Sequence, residues 1–545
     1  MKKINIILSI LCFMALSCQR VPEVPFDVDV REMEIGPDGG TRTFIIKSPT
    51  GWIATTEAPW IAISPANGTS SSECTIVVDS SLTFTSREDI VKIKLGESGE
   101  YKEFTVKQSG YEHSISLKEQ KVEIPEYADY GSRGFDIPVK TNVDFEVVVP
   151  EGVTWITAKK PSADFDRGAR PRNVLVHFDW TINSRPSVKE AEITFKPKTD
   201  EPLVRNDVLK VVQSAAREIE GGTPKGDSLA LLSIARVLNV WNQWDPSEKM
   251  EHWDGVQVWK SGKDKGRVRS AQFFLFSTKE GLPYQVRYLD AIEELYFYSN
   301  ENSFLYSLST GEDICTLKSL RKLTIGAYGL TELPESFTNL ENLEYLDLSG
   351  NNFEEIPPVL TEEHFPKLTA LIINANQRHV AGDLYNNYKE NCGGLIKECP
   401  LDADGKREFP RRLLKWNKLD TLRLSVNYLQ GTIPDFSDEP SFPRWTAEEV
   451  NACDTLPSIL IGLPKVLPET DFFAINLNRL RGELPQWLLY HPKLDLWYPD
   501  LLVFNQEGKD QDGNLAGFSN APSNLNYYYE QYTNKKYNPN NISAE

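Results

Sequence analysis

Short apolar segments of period two recur at a near-constant offset, and an eleven-residue apolar frame then returns every 23 to 28 residues. Together these patterns predict a multidomain chain: two all-β immunoglobulin-like sandwiches followed by an α/β leucine-rich-repeat solenoid. The length of 545 residues agrees, since one core rarely serves more than a few hundred residues. With 40% hydrophobic and 25% charged residues, the chain has enough apolar matter for sizeable cores and is neither a disordered polymer nor a polytopic membrane protein. Its 78 acidic residues outnumber 59 basic ones, for a net charge of −19. That field repels phosphate backbones and anionic lipid, so nucleic acid is not an expected partner.

Residues 1–17 form an expected export signal: Lys2 and Lys3 precede an apolar run from Ile6 to Leu16, short of the ~20 residues that span a bilayer. Ala15-Leu16-Ser17-Cys18 resembles a bacterial lipoprotein lipobox. The resemblance implies lipidation of Cys18, a tether over 18–25, and an outer-membrane, lipid-anchored place in the cell envelope. Gln19–Glu23 lacks the acidic tract that resembles a Bacteroidetes surface-export signal, so surface-facing and periplasmic orientations both stay open. No later stretch is long and apolar enough to span a membrane. Beyond Cys12 and Cys18 five cysteines remain, an odd number that argues against a disulfide framework. Cys392 and Cys399 are close enough to staple a local loop. No C-x-x-C or H-x-x-x-H spacing occurs, so neither a metal nor another cofactor is expected.

Residues 26–110 carry strand-like text at Thr43–Lys47, Cys74–Val78, Val91–Leu95 and Glu103–Val106, with turns expected at Gly39-Gly40 and Asn67-Gly68. Residues 113–214 repeat the pattern: Trp60-Ile61 returns as Trp155-Ile156, Ser86-Arg87 as Ser184-Arg185 and Gln108-Ser109 as Gln213-Ser214. Gly39-Gly40, Trp52, Trp60–Pro65, Gly68, Arg87 and Gln108-Ser109-Gly110 resemble the BACON family of Bacteroidetes lipoproteins and glycan-processing proteins. That resemblance implies either carbohydrate or mucin binding or a spacer that carries a distal domain. The residues favour the spacer, because Trp60 and Trp155 sit in apolar strand text where an indole packs a core. Trp52, beside Gly51 at a turn, is the candidate glycan contact, with plugging the end of the sandwich as its other reading.

Residues 215–226 have linker composition, and Asp227 is the expected N-cap of a helix whose Leu231, Ile234, Ala235 and Leu238 share one face. With Trp241, Trp244, Trp253-Asp254-Gly255-Val256 and Trp259, residues 227–262 resemble the N-terminal cap of plant-type leucine-rich repeats, Glu251 and Val258 standing where that cap has cysteines. The frame L-x-x-L-x-L-x-x-N-x-L occupies 263–520, clearest over Leu343–Phe353, with other copies beginning at Val268, Ile292, Leu320, Leu368 and Leu419. The last interval, 51 residues, reads as about two repeats. Gly431–Pro434 and Gly482–Pro485 resemble the Gly-x-Ile-Pro of plant-type repeats. Apolar frame residues are expected to point inward and each asparagine to satisfy backbone where the coil turns. Breaks at Asn376–Trp416 and Asp435–Glu469 are inserted loops, either binding surface or decoration. Residues 521–545 form a C-terminal cap or a loose tail.

Little in the chain suggests chemistry. Asp402–Gly405 and Asp510–Asn514 are turns, because a calcium loop needs carboxylates where Gly508 and Ser519 stand. Glu354-Glu355 and Glu362-Glu363-His364 read as solvated charge, and no nucleophile-elbow or phosphate-loop motif occurs. A non-enzyme is expected. Its concave ladder would be Phe274, Tyr296, Tyr298, Thr324, Asp347, Asn374 and Arg423, presenting aromatics first and mixed polar groups later. A protein is the first expected ligand; the alternative is a glycan- or mucin-binding component of a polysaccharide-utilising system, with the sandwiches as its binding modules.

Overall fold

The computed structural model describes residues 24–96, 98–160, 163, 168–201, 204–240, 244–276, 278, 280–299, 308–376, 394–416, 418–439, 472–485, 488 and 506–520. The export signal, Cys18, Cys392, Trp241 and the 521–545 tail lie outside the described residues. The chain divides into two compact units, Met1–Asn183 with Val188–Ser214, and Ser184–Ser187 with Ala215–Glu545.

The first unit holds two modules, each of two sheets facing across an apolar core. Alternation decides which side chains enter that core. In Ser72–Val78, Cys74, Ile76 and Val78 turn inward; from the opposite sheet come Val91, Ile93, Phe104 and Val106, all buried. One sheet orders its strands 27–28, 40–47, 72–78, 61–64, and the other 32–35, 101–108, 87–95, 52–55, 67–68. The second module repeats this order with 115–117, 134–141, 172–180, 156–159 and with 121–124, 207–213, 189–197, 145–148. In both, a parallel pair starts the second sheet, Glu32–Ile35 against Thr105–Gln108 and Lys121–Ile124 against Lys210–Gln213.

The repeated glutamine has the same task twice. Buried Gln108 donates from Nε2 to Asp79 O at 2.8 Å and Gly36 O at 3.2 Å; buried Gln213 donates to Thr181 O at 2.8 Å and Pro125 O at 3.4 Å. Each ties the last strand to carbonyls that would otherwise be stranded inside. One expected turn is corrected. Asn67-Gly68 is a two-residue strand paired with Trp52-Ile53, and its glycine is required because a Cβ there would lie 2.7 Å from the Trp52 ring.

In the second unit the helix runs Pro224–Val237, starting inside the expected linker. Thr223, not Asp227, is the N-cap, its Oγ1 accepting from Gly226 N at 2.9 Å. Asp227 lies in the first turn, fully buried, and its carboxylate takes Arg267 Nε at 2.7 Å, Arg267 Nη2 at 2.9 Å and Val268 N at 2.8 Å. Arg267 also meets Asp290. Burial pushes the Asp227 carboxyl upward while these donors hold it down, and Arg267 itself is held above its ordinary value. Trp244 and Trp253 stack at 5.2 Å, and Trp244 meets Phe273 edge-on at 5.3 Å, so the cap is closed by aromatic packing.

An eight-stranded sheet follows: 256–258, 268–276, 294–299, 322–326, 345–347, 370–372, 421–423 and 472–474. The first pair is antiparallel and all others are parallel. The expected two repeats between Leu368 and Leu419 are corrected: Ala370–Ile372 pairs directly with Thr421–Arg423, so the interval is one coil enlarged by an insert. A second parallel set, Gln430-Gly431, Arg479–Gly482 and Gly517-Phe518, lies where the Gly-x-Ile-Pro segments were noted.

The frame leucines are fully buried, and Asn351, Asn427 and Asn478 satisfy the turns as expected, whereas the Oδ1 of Asn376 meets no donor among the described residues. Asn351 Oδ1 accepts from Tyr328 N and Leu330 N, both at 3.1 Å, and its Nδ2 donates to Ile325 O and Leu348 O. Asn478 Oδ1 likewise accepts from Asn427 N at 2.9 Å and Leu429 N at 3.1 Å. Asn351→Ala leaves two buried amides without acceptors and is expected to cost about 3 kcal/mol in urea unfolding followed by tryptophan fluorescence. Asn342→Ala, a change outside the core, is the control that should change stability little.

His177, in the second module, is held between Asp136 at 2.9 Å (Nδ1), on the paired strand 134–141, and Asp179 at 3.1 Å (Nε2), on its own strand. Hydrogen bonds to Asp136 and then Asp179 raise its pKa above the ordinary 6.5. The resulting stabilisation is full below the unfolded value and is lost as pH rises through the higher folded value. Differential scanning calorimetry should therefore show a melting temperature that falls from about pH 6 to about pH 8, and a shallower fall in His177→Gln.

Candidate functional site

The parallel sheet of the second unit stacks equivalent side chains into rows. Register places Gln272, Tyr296, Thr324, Asp347, Ile372, Arg423 and Ala474 in one row, and Phe274, Tyr298 and Gly326 in the next. Between them runs the buried row Phe273, Phe297 and Ile325, which fixes the strands from beneath. The expected ladder residues Tyr296, Thr324, Asp347 and Arg423 thus share one row, and Phe274 and Tyr298 share another.

Their surroundings differ. Phe274 is 49% exposed and Tyr298 45%, whereas Thr324, between Tyr296 and Asp347, is only 6% exposed and offers little to a ligand. Asn374 is a coil-to-coil staple, its Oδ1 accepting from Ser425 N at 2.9 Å. Burial pushes the Tyr296 hydroxyl up to about 12, assisted by the charge of Glu294, to which it donates at 3.2 Å. Burial raises Asp347 as well; Ser349 N donates to it at 2.9 Å, and Arg423 lowers it from across Ile372. Glu294 is paired with Lys322 at 3.2 Å, Glu293 with Arg269 at 3.0 Å and Glu344 with Arg321 at 2.7 Å. Asp347 makes no ion pair among the described residues.

Two features of this face escaped the frame. Register shifts between Phe274 and Phe276, and Leu275 at the shift has φ 52° and is 82% exposed. The second is Gly326, where a Cβ would lie 2.6 Å from two atoms of the Tyr298 ring, so the ring lies on bare backbone. The same backbone recurs along the frame: Gly350, Ala375, Val426 and Leu477, each before an asparagine, have positive φ, as do Leu275 and Ala327, where Phe276 and Tyr328 take the asparagine's place.

Two expected sites are corrected. Trp52 is 1% exposed, with its Nε1 donating to Ser70 O at 2.8 Å and Gly68 beneath its ring, so it fills the core and presents no face to a glycan. Trp60, partly buried, is covered by Arg87 at 4.3 Å, and Trp155 is buried. Cys399 is a free thiol wholly buried in the apolar core, pushed up to about 12 by that burial; its expected partner Cys392 lies outside the described residues. Asp402 and Asp510 accept from backbone amides of their own turns, Lys406 N at 2.8 Å and Asn514 N at 2.8 Å.

Grooves exist away from the ladder, one of about 760 Å³ beside Glu34, Arg87 and Gln108, another of about 560 Å³ beside Leu229, Leu232, Met250 and Trp253. Among the described residues no group of three or more His, Cys, Asp or Glu is placed to hold a metal, and no helix is long and apolar enough to cross a membrane.

The Leucine Rich Repeat family matches residues 342–362, around the row that carries Asp347. The chain carries a leucine-rich repeat. A comparison with curated proteins finds none that matches. Solved structures with local similarity include a Bacteroides ovatus GH5 xyloglucanase in complex with a XXXG heptasaccharide, at 22% identity over 18% of this chain and 22% of that one, TM-score 0.15. The BIR2 ectodomain from Arabidopsis thaliana is 16% identical over 27% of this chain and 79% of that one, TM-score 0.23. Zebrafish RET cadherin-like domains 1 to 4 are 11% identical over 35% of this chain and 50% of that one, TM-score 0.22. At such TM-scores the likeness assigns neither fold nor function.

Gly326→Val is expected to destabilise by about 1–3 kcal/mol by driving a branched side chain into Tyr298. Ala327→Gly relieves φ 51° and should stabilise by about 1 kcal/mol; thermal melts of both variants check the pair.

Proposed function

We propose that the chain is a non-enzymatic, lipid-anchored cell-envelope protein in which two immunoglobulin-like β-sandwiches carry a leucine-rich solenoid that binds a protein ligand on its concave face. The observation that carries this reading is the stacked pair of rows, with Phe274 and Tyr298 half exposed beside Tyr296, Asp347 and Arg423. Leucine-rich repeat domains generally bind proteins, and an extended sheet face of fixed register suits that use. The lipobox-like Ala15–Cys18 supports the anchor and the outer-membrane location. Burial of Trp52, the candidate glycan contact, supports reading the sandwiches as the spacer.

A photo-reactive residue at Tyr298 is expected to crosslink a protein in intact cells, while the same residue at exposed Arg321, on a different row, is not. Crosslinking at neither position, together with glycan capture by the full chain, would sink the protein-binding reading. Cys18→Ser should release the chain from the membrane fraction.

A further inference from the structure

The exposed corner of the ladder is built against local stability, and the neighbouring row holds a carboxylate, Asp347, that makes no contact ion pair among the described residues and feels Arg423 only from across Ile372. The residue before each asparagine position takes a left-handed backbone, a conformation glycine adopts freely and Gly350 supplies. Leu275 fills that position in its own coil and remains 82% exposed. An isolated exposed leucine is ordinary. The left-handed backbone belongs to the frame, since Ala327, Ala375, Val426 and Leu477 share it; what sets Leu275 apart is a large apolar side chain at such a position that recovers almost no burial. Phe274, next to it, is in register with Tyr298, whose ring lies on Gly326, so three apolar side chains project from adjoining positions.

Leu275 adds an aliphatic surface without a π face to the rings of Phe274 and Tyr298, and the mixed patch suits a large apolar side chain. Two strands from Tyr298, in the neighbouring row, stands Asp347. The neighbouring carboxylates Glu293, Glu294 and Glu344 each have an Arg or Lys partner, and Asp347 alone of these has none among the described residues. Its carboxylate is half-buried, and an incoming cation would compensate the desolvation that raises it. Strands about 4.8 Å apart and residues about 3.3 Å apart put this carboxylate roughly 12 Å from the apolar corner, three or four residues of extended chain.

Resting on the concave-face reading above, we propose that this corner is an anchor site for a polypeptide segment carrying a large apolar side chain and, roughly three or four residues along, a lysine or arginine. The apolar side chain packs on Phe274, Leu275 and Tyr298, and the cation pairs with Asp347.

Random short peptides displayed on phage and panned against the immobilised full chain test this. Enriched peptides should share a large apolar residue and a basic residue at that spacing. Leu275→Gly, which relieves strain and should leave the melting temperature unchanged or higher, is expected to weaken their binding at least tenfold. Asp347→Asn should abolish the preference for arginine over glutamine while leaving the apolar preference in place. Three results would overturn the anchor: no shared motif, a motif without the basic residue, or binding unchanged in Leu275→Gly. If binding then fails in Tyr296→Ala or Arg423→Ala, the concave-face reading survives without the anchor; if it persists in all of these variants, both fall.

Discussion

Every coil of the second unit must turn its backbone away from the parallel sheet inside an apolar core, which would leave amides and carbonyls without water. Asparagine resolves this because one short side chain carries both an acceptor and two donors. Asn351 and Asn478 each take two amides of the preceding coil and give to carbonyls of their own and the preceding coil. Gln506 ends the series, accepting from Leu480 N and donating to Ile475 O. A buried amide left unmade costs more than a satisfied one gains, so the series holds each coil in one register. The rows of outward side chains follow from that register.

A stack of coils has exposed ends, and its first end must be closed by something other than another coil. The helix Pro224–Val237 and its C-cap Leu238 lay Leu231, Ile234 and Leu238 on the core, and Trp244, stacked on Trp253, meets Phe273 edge-on. The buried pairing of Asp227 with Arg267 specifies how helix and first long strand meet, since either group alone would be an uncompensated interior charge. In the two-sheet modules a single buried glutamine has the comparable task of binding strand to loop. Gln108 also accepts from Arg87 at 2.8 Å, whereas Gln213 Oε1 has no such partner, so the repeat is faithful in backbone and looser in side chains.

Much of this was legible in the sequence because periodicity reports burial directly. Alternation located the strands around Cys74–Val78 and Val91–Leu95, and the leucine frame located those at Tyr345–Asp347 and Thr421–Arg423. What failed was what depends on distant partners. Trp52 beside a glycine looked like a turn residue, but its ring is buried because Gly68, sixteen positions later, leaves space for it. Asp227 had the composition of a cap, but Arg267 claimed its carboxylate from forty positions away. Of the ladder, the aromatic end was found, while Leu275 was missed because its exposure depends on a register shift that no apolar pattern encodes.

The direct pairing of Ala370–Ile372 with Thr421–Arg423, and of these with Phe472–Ala474, separates architecture from whatever chain lies between. Closing a longer excursion raises the entropic cost only logarithmically, about 0.6 kcal/mol for each doubling. The first excursion is nonetheless anchored, since Leu395, Cys399, Phe409 and Trp416 are buried in the core and Leu395 N and Phe409 N donate to Asn427 O and Thr432 O. New sequence is therefore least costly to try between such anchored positions, with the strand pairing left as it is.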